Sequence, residues 1–140
     1  MIIVDTNVTS ELMKPTPSPA VTAWVRACNT ADLYTTAITL AEILYGIERL
    51  PDGPRKDLLR HSAAGVFSGF PEQVLPFDAT AAVAYSEIVT HRERVGAPID
   101  GVDAQIAAIC RAHNATLATR NLKDFRDTGV DVIDPWEMTR

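Results

Sequence analysis

Apolar positions along this chain switch between a continuous run and a helical spacing, and the switching predicts strands alternating with helices. Ile2-Ile3-Val4 before Asp5 reads as a short strand over residues 2–5, because a strand covered on both faces needs no polar alternation. A helical turn follows and stops at Lys14-Pro15, since proline disfavours helix in the residue before it. Ser18 as cap and Pro19 at the first helical position start a helix with Val21, Trp24, Val25 and Cys28 on one face. Residues 32–36, rich in β-formers, read as the second strand. Leu40, Ile43, Leu44 and Ile47 then recur at helical spacing up to the breaker Pro51-Asp52-Gly53-Pro54. A further helix carries Leu59, Ala63, Val66, Phe67 and Phe70, and residues 73–76 give a third strand. Asp78 caps a long helix with Ala81, Tyr85, Ile88 and Val89 inward, ending near Gly96-Ala97-Pro98. Val102, Ile106, Ile109, Cys110 and His113 form the next stripe, residues 115–119 the fourth strand, and residues 130–133 a last strand stopped by Pro135.

This order predicts an α/β fold: a central parallel sheet of four to five strands with helices on both faces. Without a repeat, low-complexity tract or linker, residues 1–140 read as a single domain. Apolar residues at 46% and charged residues at 22% are ordinary globular values. No apolar stretch approaches the roughly 20 residues that span a bilayer, and no secretory signal pattern opens the chain. A cytoplasmic protein with no membrane contact is expected, with Cys28 and Cys110 as reduced core thiols. The net charge of −5 excludes a simple nucleic-acid coat, which needs a basic surface, but not a nuclease.

The chemistry lies in acids just beyond the strand ends. Asp5 ends the first strand. Glu42, Asp103 and Asp124 each follow by three residues a helix-capping residue: Thr39, Asp100 and Asn121. Singly, each acid is explained by capping; Thr39-Leu-Ala-Glu42 even matches the capping box. Together they would line the crevice beyond the carboxyl ends of the strands, where open α/β sheets bind ligands. Carboxylates that meet repel unless a cation joins them, and all-oxygen ligands suit Mg²⁺ or Mn²⁺. No Cys/His cluster of zinc type exists, and Ser10 and Ser18 have no His partner. His61 and His91 read as solvated, and His113 as a helix end. The reaction this suggests is phosphodiester hydrolysis by a metal-activated water.

Four segments carry a family resemblance: Val4-Asp5-Thr6-Asn7, Ala41-Glu42-Ile43-Leu44-Tyr45-Gly46, Asp103-Ala-Gln-Ile-Ala-Ala, and Leu117-Ala-Thr-Arg-Asn-Leu-Lys-Asp-Phe125. Their order and spacing, with the closing Val132-Ile133-Asp134-Pro135-Trp136, resemble the PIN-domain toxins, the VapC/FitB-like ribonucleases of bacterial type II toxin–antitoxin modules. The resemblance implies a three-layer α/β/α PIN fold and Mg²⁺-dependent endoribonuclease activity, with Mn²⁺ as a substitute. It implies RNA of the tRNA or rRNA class as substrate, inhibition of translation, and neutralisation by a VapB-type antitoxin. It also implies a homodimer that enlarges with antitoxin.

The family's first three acids fall on Asp5, Glu42 and Asp103, with Asp5 and Asp103 as metal ligands. Many relatives carry Asp where this chain has Asn121, and the Lys-Asp-Phe acid is Asp124; whether Asp124 or Asn121 fills the fourth position, and whether Asp124 ligates metal directly or through water, stays open. Thr6, Thr119 and Asn121 match positions that orient the site; Arg120, Lys123 and Arg126 are the RNA-contact candidates; Leu12, Met13, Leu44 and Tyr45 are the antitoxin-contact candidates. An antitoxin arginine reaching the acids would compete with the metal. Two alternatives stay open. One is a haloacid-dehalogenase-like phosphatase, with Asn7 where the second acid of that motif belongs. The other is a catalytically weak PIN-like binding module, which the Asn121 departure keeps alive.

Overall fold

The computed structural model describes residues 1–138. Strand β1 (Ile2–Val4) leads through α1 (Thr6–Leu12) and α2 (Pro19–Ala27) to β2 (Leu33–Thr36). Helices α3 (Ala37–Glu48) and α4 (Pro54–Phe67) follow, then β3 (Val74–Leu75). The chain crosses the sheet through α5 (Ala79–Arg94) and α6 (Gly101–Ala112) to β4 (Thr116–Ala118). A 3-10 turn over Leu122–Phe125 precedes β5 (Val132–Ile133). The five strands lie in the order β3-β2-β1-β4-β5, and every pairing is parallel.

That order reverses between β1 and β4, and an open parallel sheet has its ligand crevice at such a switch point. Val4 stands opposite Ala118, so Asp5 and Thr119 leave the sheet side by side. The Asp5 amide extends the ladder by donating to the Ala118 carbonyl at 2.9 Å.

Strand alternation divides the core between two faces. Ile3 and Leu117 face the layer of α5 and α6, with Ile88, Ile106, Ile109 and Phe125 buried there. Val4 and Ala118 face the other layer, packed with Val8, Val21 and Trp24 from α1 and α2. From Ala104 to Cys110 every residue of α6 but Gln105 is buried, and its alanines let the helix lie close to the sheet. Cys28 and Cys110 are both free thiols, and burial pushes the Cys110 thiol well above its ordinary range. Among the described residues, no helix is long and apolar enough to cross a membrane.

The predicted elements all form, with corrections at their ends. The cap of α3 is Thr36, not Thr39: the Thr36 hydroxyl oxygen accepts from the Thr39 amide at 3.0 Å, which puts Thr39 inside the first turn. Glu42 therefore lies in the second turn and no capping box forms. Asp78 caps α5 as predicted, accepting from the Ala81 amide at 3.0 Å. Asp100 and Asn121 occupy cap positions, but neither side chain makes the capping bond. Helix α4 ends before Phe70, which reaches the core from the following turn. Leu44 is 43% exposed, because Thr39, Ile43 and Ile47 form the buried stripe of α3.

Ile88 is wholly buried between α5, α6 and the sheet. Ile88→Ala is expected to cost about 2–5 kcal/mol of unfolding free energy, read from the shift of a urea transition. A cost under about 1 kcal/mol would contradict this account of the core.

Candidate active site

Asp5 is the fixed point of the site. It is the N-cap of α1, only 4% exposed, and its Oδ1 accepts from the Thr6 amide at 2.8 Å. Its Oδ2 accepts from the Thr119 hydroxyl, also at 2.8 Å. Thr119 Oγ1 in turn accepts from Asn7 Nδ2 and from the Asn121 amide, each at 3.1 Å. The hydroxyl therefore has its single proton committed to Asp5 and both lone pairs occupied. Burial pushes the Asp5 carboxyl above its ordinary 3.8; the bonds from Thr119 and Thr6 pull the other way, and the charges of Glu42 and Asp124 add to the rise.

Glu42 enters from α3. Its Oε1 accepts the Thr6 hydroxyl proton at 2.5 Å. The Thr39 hydroxyl lies 3.3 Å from those of both Thr6 and Thr36, so a row of hydroxyls ties the start of α3 to the start of α1. Thr36 and Thr39 are fully buried, and this polar seam among apolar neighbours fixes where Glu42 emerges.

Asp103 comes from the first turn of α6 and Asp124 from the 3-10 turn after β4. Burial, then the charges of Asp5, Asp100, Asp124 and Glu42, push the Asp103 carboxyl up from 3.8 to about 7. A carboxyl displaced this far by burial and by neighbouring acids marks a cluster of like charges, the arrangement a bound cation relieves.

The donor set, carboxylate and hydroxyl oxygens alone, fits a hard divalent cation. Among the described residues, no three His, Cys, Asp or Glu side chains are already closed into a cation-binding group. The acids are in electrostatic reach of one another, while the Asp5 oxygens are turned to Thr119 and the Thr6 amide.

The remaining predicted residues divide. Thr6, Thr119 and Asn121 all stand in the hydrogen-bond network of the acids. Arg120, Lys123 and Arg126 line one exposed depression together with Asp124, and Arg120 also stacks 4.6 Å above the Trp136 ring. An open groove of about 500 Å³ runs between α1, α3 and α4, past Thr6 and Glu42. Of the four antitoxin-contact candidates only Met13 lines it. Leu12 packs into the core under α1, and Leu44 and Tyr45 are exposed outside the groove.

Asn7 stands in the first of the resemblance segments, but sequence reasoning assigned it no role among these acids. Its Nδ2 faces Thr119 and, at 3.5 Å, Asp5, while its Oδ1 accepts from the Arg120 amide at 3.2 Å. One amide thus joins the first acid to the basic segment. The available signal was an amide side chain two residues after a strand-end acid, able to donate and accept at once.

The PIN domain family model matches residues 2–130 of this chain. The chain belongs to the PIN-domain family. It is similar to the VapC ribonuclease Y4jK of Sinorhizobium fredii, 39% identical over 138 residues that cover 98% of this chain and 99% of that protein. It is similar to the toxin FitB of Neisseria gonorrhoeae, 36% identical over 137 residues, 97% of this chain and 99% of that one. The crystal structure of FitAcB from Neisseria gonorrhoeae matches with a TM-score of 0.91 at 35% identity, over 99% of this chain and 100% of that one.

The displaced Asp103 carboxyl gives stability a definite pH dependence. An acid whose value is raised on folding binds its proton more tightly folded than unfolded, so its contribution to stability falls as pH rises between 3.8 and about 7. In metal-free buffer, the stability of Asp103→Asn relative to wild type should therefore increase with pH through that window and level off above it. Denaturant titrations at several pH values check this. A difference that does not change with pH contradicts the clustered-acid geometry.

Proposed function

We propose that this chain is a Mg²⁺-dependent endoribonuclease, the toxin of a VapBC-type type II toxin–antitoxin module. It hydrolyses phosphodiester bonds in RNA of the tRNA or rRNA class and so inhibits translation until a cognate antitoxin neutralises it. The observation that carries this reading is the meeting of Asp5 and Glu42 on the two sides of Thr6 at the switch point of the sheet, with Asp103 near enough for their charges to push its carboxyl up. The relatives named as a VapC ribonuclease and as a toxin support the same activity.

In this reading Asp5 and Asp103 hold the metal, with Mn²⁺ able to replace Mg²⁺, and Glu42 and Asp124 complete the acidic site. The bound cation supplies an activated water and neutralises charge on the phosphodiester. The chain's own residues do the rest. Thr119 and the Thr6 amide hold the Asp5 carboxylate in one orientation. Thr6 Oγ1 holds Glu42 so that its other oxygen is free to take a proton from water. Arg120, Lys123 and Arg126 grip RNA phosphates beside Asp124, which keeps the strand next to the acids despite the net charge of −5.

The antitoxin would occupy the groove between α1, α3 and α4. Met13, Ile43 and Ile47 offer it an apolar floor, and Glu42 at the end gives a cationic antitoxin side chain a place to compete with the metal. The chain acts in the cytoplasm as a homodimer in this proposal.

Purified chain, free of antitoxin, should cut RNA at discrete places with Mg²⁺ or Mn²⁺ and stop with EDTA, leaving 3′-hydroxyl and 5′-phosphate ends. Asp5→Asn should lower the rate by at least about a hundredfold, and Thr6→Val, which only orients Glu42, by about ten- to a hundredfold. Cleavage that survives EDTA or Asp5→Asn, or that leaves cyclic phosphate ends, would overturn the reading.

A further inference from the structure

Arg92, in the last turn of α5, is a buried cation whose guanidinium pairs with no carboxylate of the acid site. Its exposure is 6%, and among the described residues no carboxylate forms an ion pair with it. A buried charge without a counter-ion is costly unless hydrogen bonds replace its water. Here backbone carbonyls do so. Nε donates to the Ala97 carbonyl at 2.5 Å, and Nη1 donates to the carbonyls of Asp124 at 2.9 Å and Arg126 at 3.0 Å. An aliphatic residue would fill the space without that cost, so the guanidinium is there for its bonds.

Those acceptors belong to two segments that carry site residues. Ala97 lies in the connection from α5 to α6, just before Asp100 and Asp103. Asp124 and Arg126 flank Phe125 in the turn after β4. The Phe125 carbonyl is taken by the Thr128 hydroxyl at 2.6 Å, and its ring is buried in the α5–α6 core. Every carbonyl from Asp124 to Arg126 thus has a side-chain donor, two of them from Arg92. A 3-10 turn this short has little hydrogen bonding of its own to keep its shape.

We propose that Arg92 is a positioning residue: its planar fork of donors fixes the turn bearing Asp124 and Arg126 against the segment that delivers Asp103. The inference rests on the metal-dependent nuclease reading for what those acids do. Lysine cannot replace the residue, because a single ammonium offers no planar fork to span carbonyls on two segments.

The test compares Mn²⁺ binding by wild type, Asp5→Asn, Arg92→Lys and the core variant Ile109→Val, by calorimetry without RNA. Circular dichroism confirms folding, and amide hydrogen exchange follows residues 124–128. Arg92→Lys should speed exchange in that turn and weaken Asp5-dependent Mn²⁺ binding by about ten- to a hundredfold. Ile109→Val, destabilised in the core that the turn's Phe125 shares but outside the turn itself, should bind as wild type does. Where Arg92→Lys does not fold, Thr128→Val, which frees the same turn at the Phe125 carbonyl, carries the test with the same expectation. Asp5-dependent binding unchanged in Arg92→Lys, or weakened equally in Ile109→Val, overturns the role of Arg92 alone. Mn²⁺ binding that Asp5→Asn leaves intact overturns the nuclease reading, and this inference with it.

Discussion

The parallel register of β1 against β4 is the constraint on which the rest of the molecule depends. Pairing Val4 with Ala118 sets Asp5 beside Thr119, and the 2.8 Å bond between them is the first link of the site. A slip of one residue would send Ile3 and Leu117 to the wrong face of the sheet and break that link at once. Folding of the core and assembly of the site are therefore one event. The helices that bury Ile3 and Leu117 on one face and Val4 and Ala118 on the other also hold the acids in place.

Placing acids where they repel works against stability, and the surroundings show how the cost is met. Thr119, the Thr6 amide and Asn7 spread hydrogen bonds over Asp5, while a seam of threonine hydroxyls fixes Glu42. What remains uncompensated appears at Asp103, whose carboxyl is pushed up to about 7. Sites that bind cations are commonly left in such a state, because the ion completes the electrostatics that the fold leaves open. In the proposed reading, a cationic antitoxin side chain in the groove beside Glu42 would relieve the repulsion as a metal would.

The order of strands and helices was legible because hydrophobic period is set by burial, and burial here follows the layers closely. Asp5 and Asp103 were legible as candidates because strand ends and first turns face the crevice of any open parallel sheet, whereas Glu42 was reached through a Thr39 cap that does not form. Cap identity was not. Thr36 and Thr39 are alike in composition, and only the backbone path decides whose oxygen meets a free amide. That Leu12, Leu44 and Tyr45 lie outside the groove was not legible for a related reason: a helical stripe does not say which edge of it meets the core and which borders a groove. Arg92 was out of reach because its partners in the turn after β4 are distant in sequence, 32 residues away for the Asp124 carbonyl. Side chains that bond to backbone leave no pattern of residue types to recognise.

The central claim is that four acids share one electrostatic site which a divalent cation completes. The most direct measurement is the titration of the Asp103 carboxyl by ¹³C NMR, first in metal-free buffer and then with Mg²⁺. The account predicts a midpoint of about 7 without metal and a fall well below it when Mg²⁺ is added. A midpoint at the ordinary 3.8, unmoved by Mg²⁺, would contradict it.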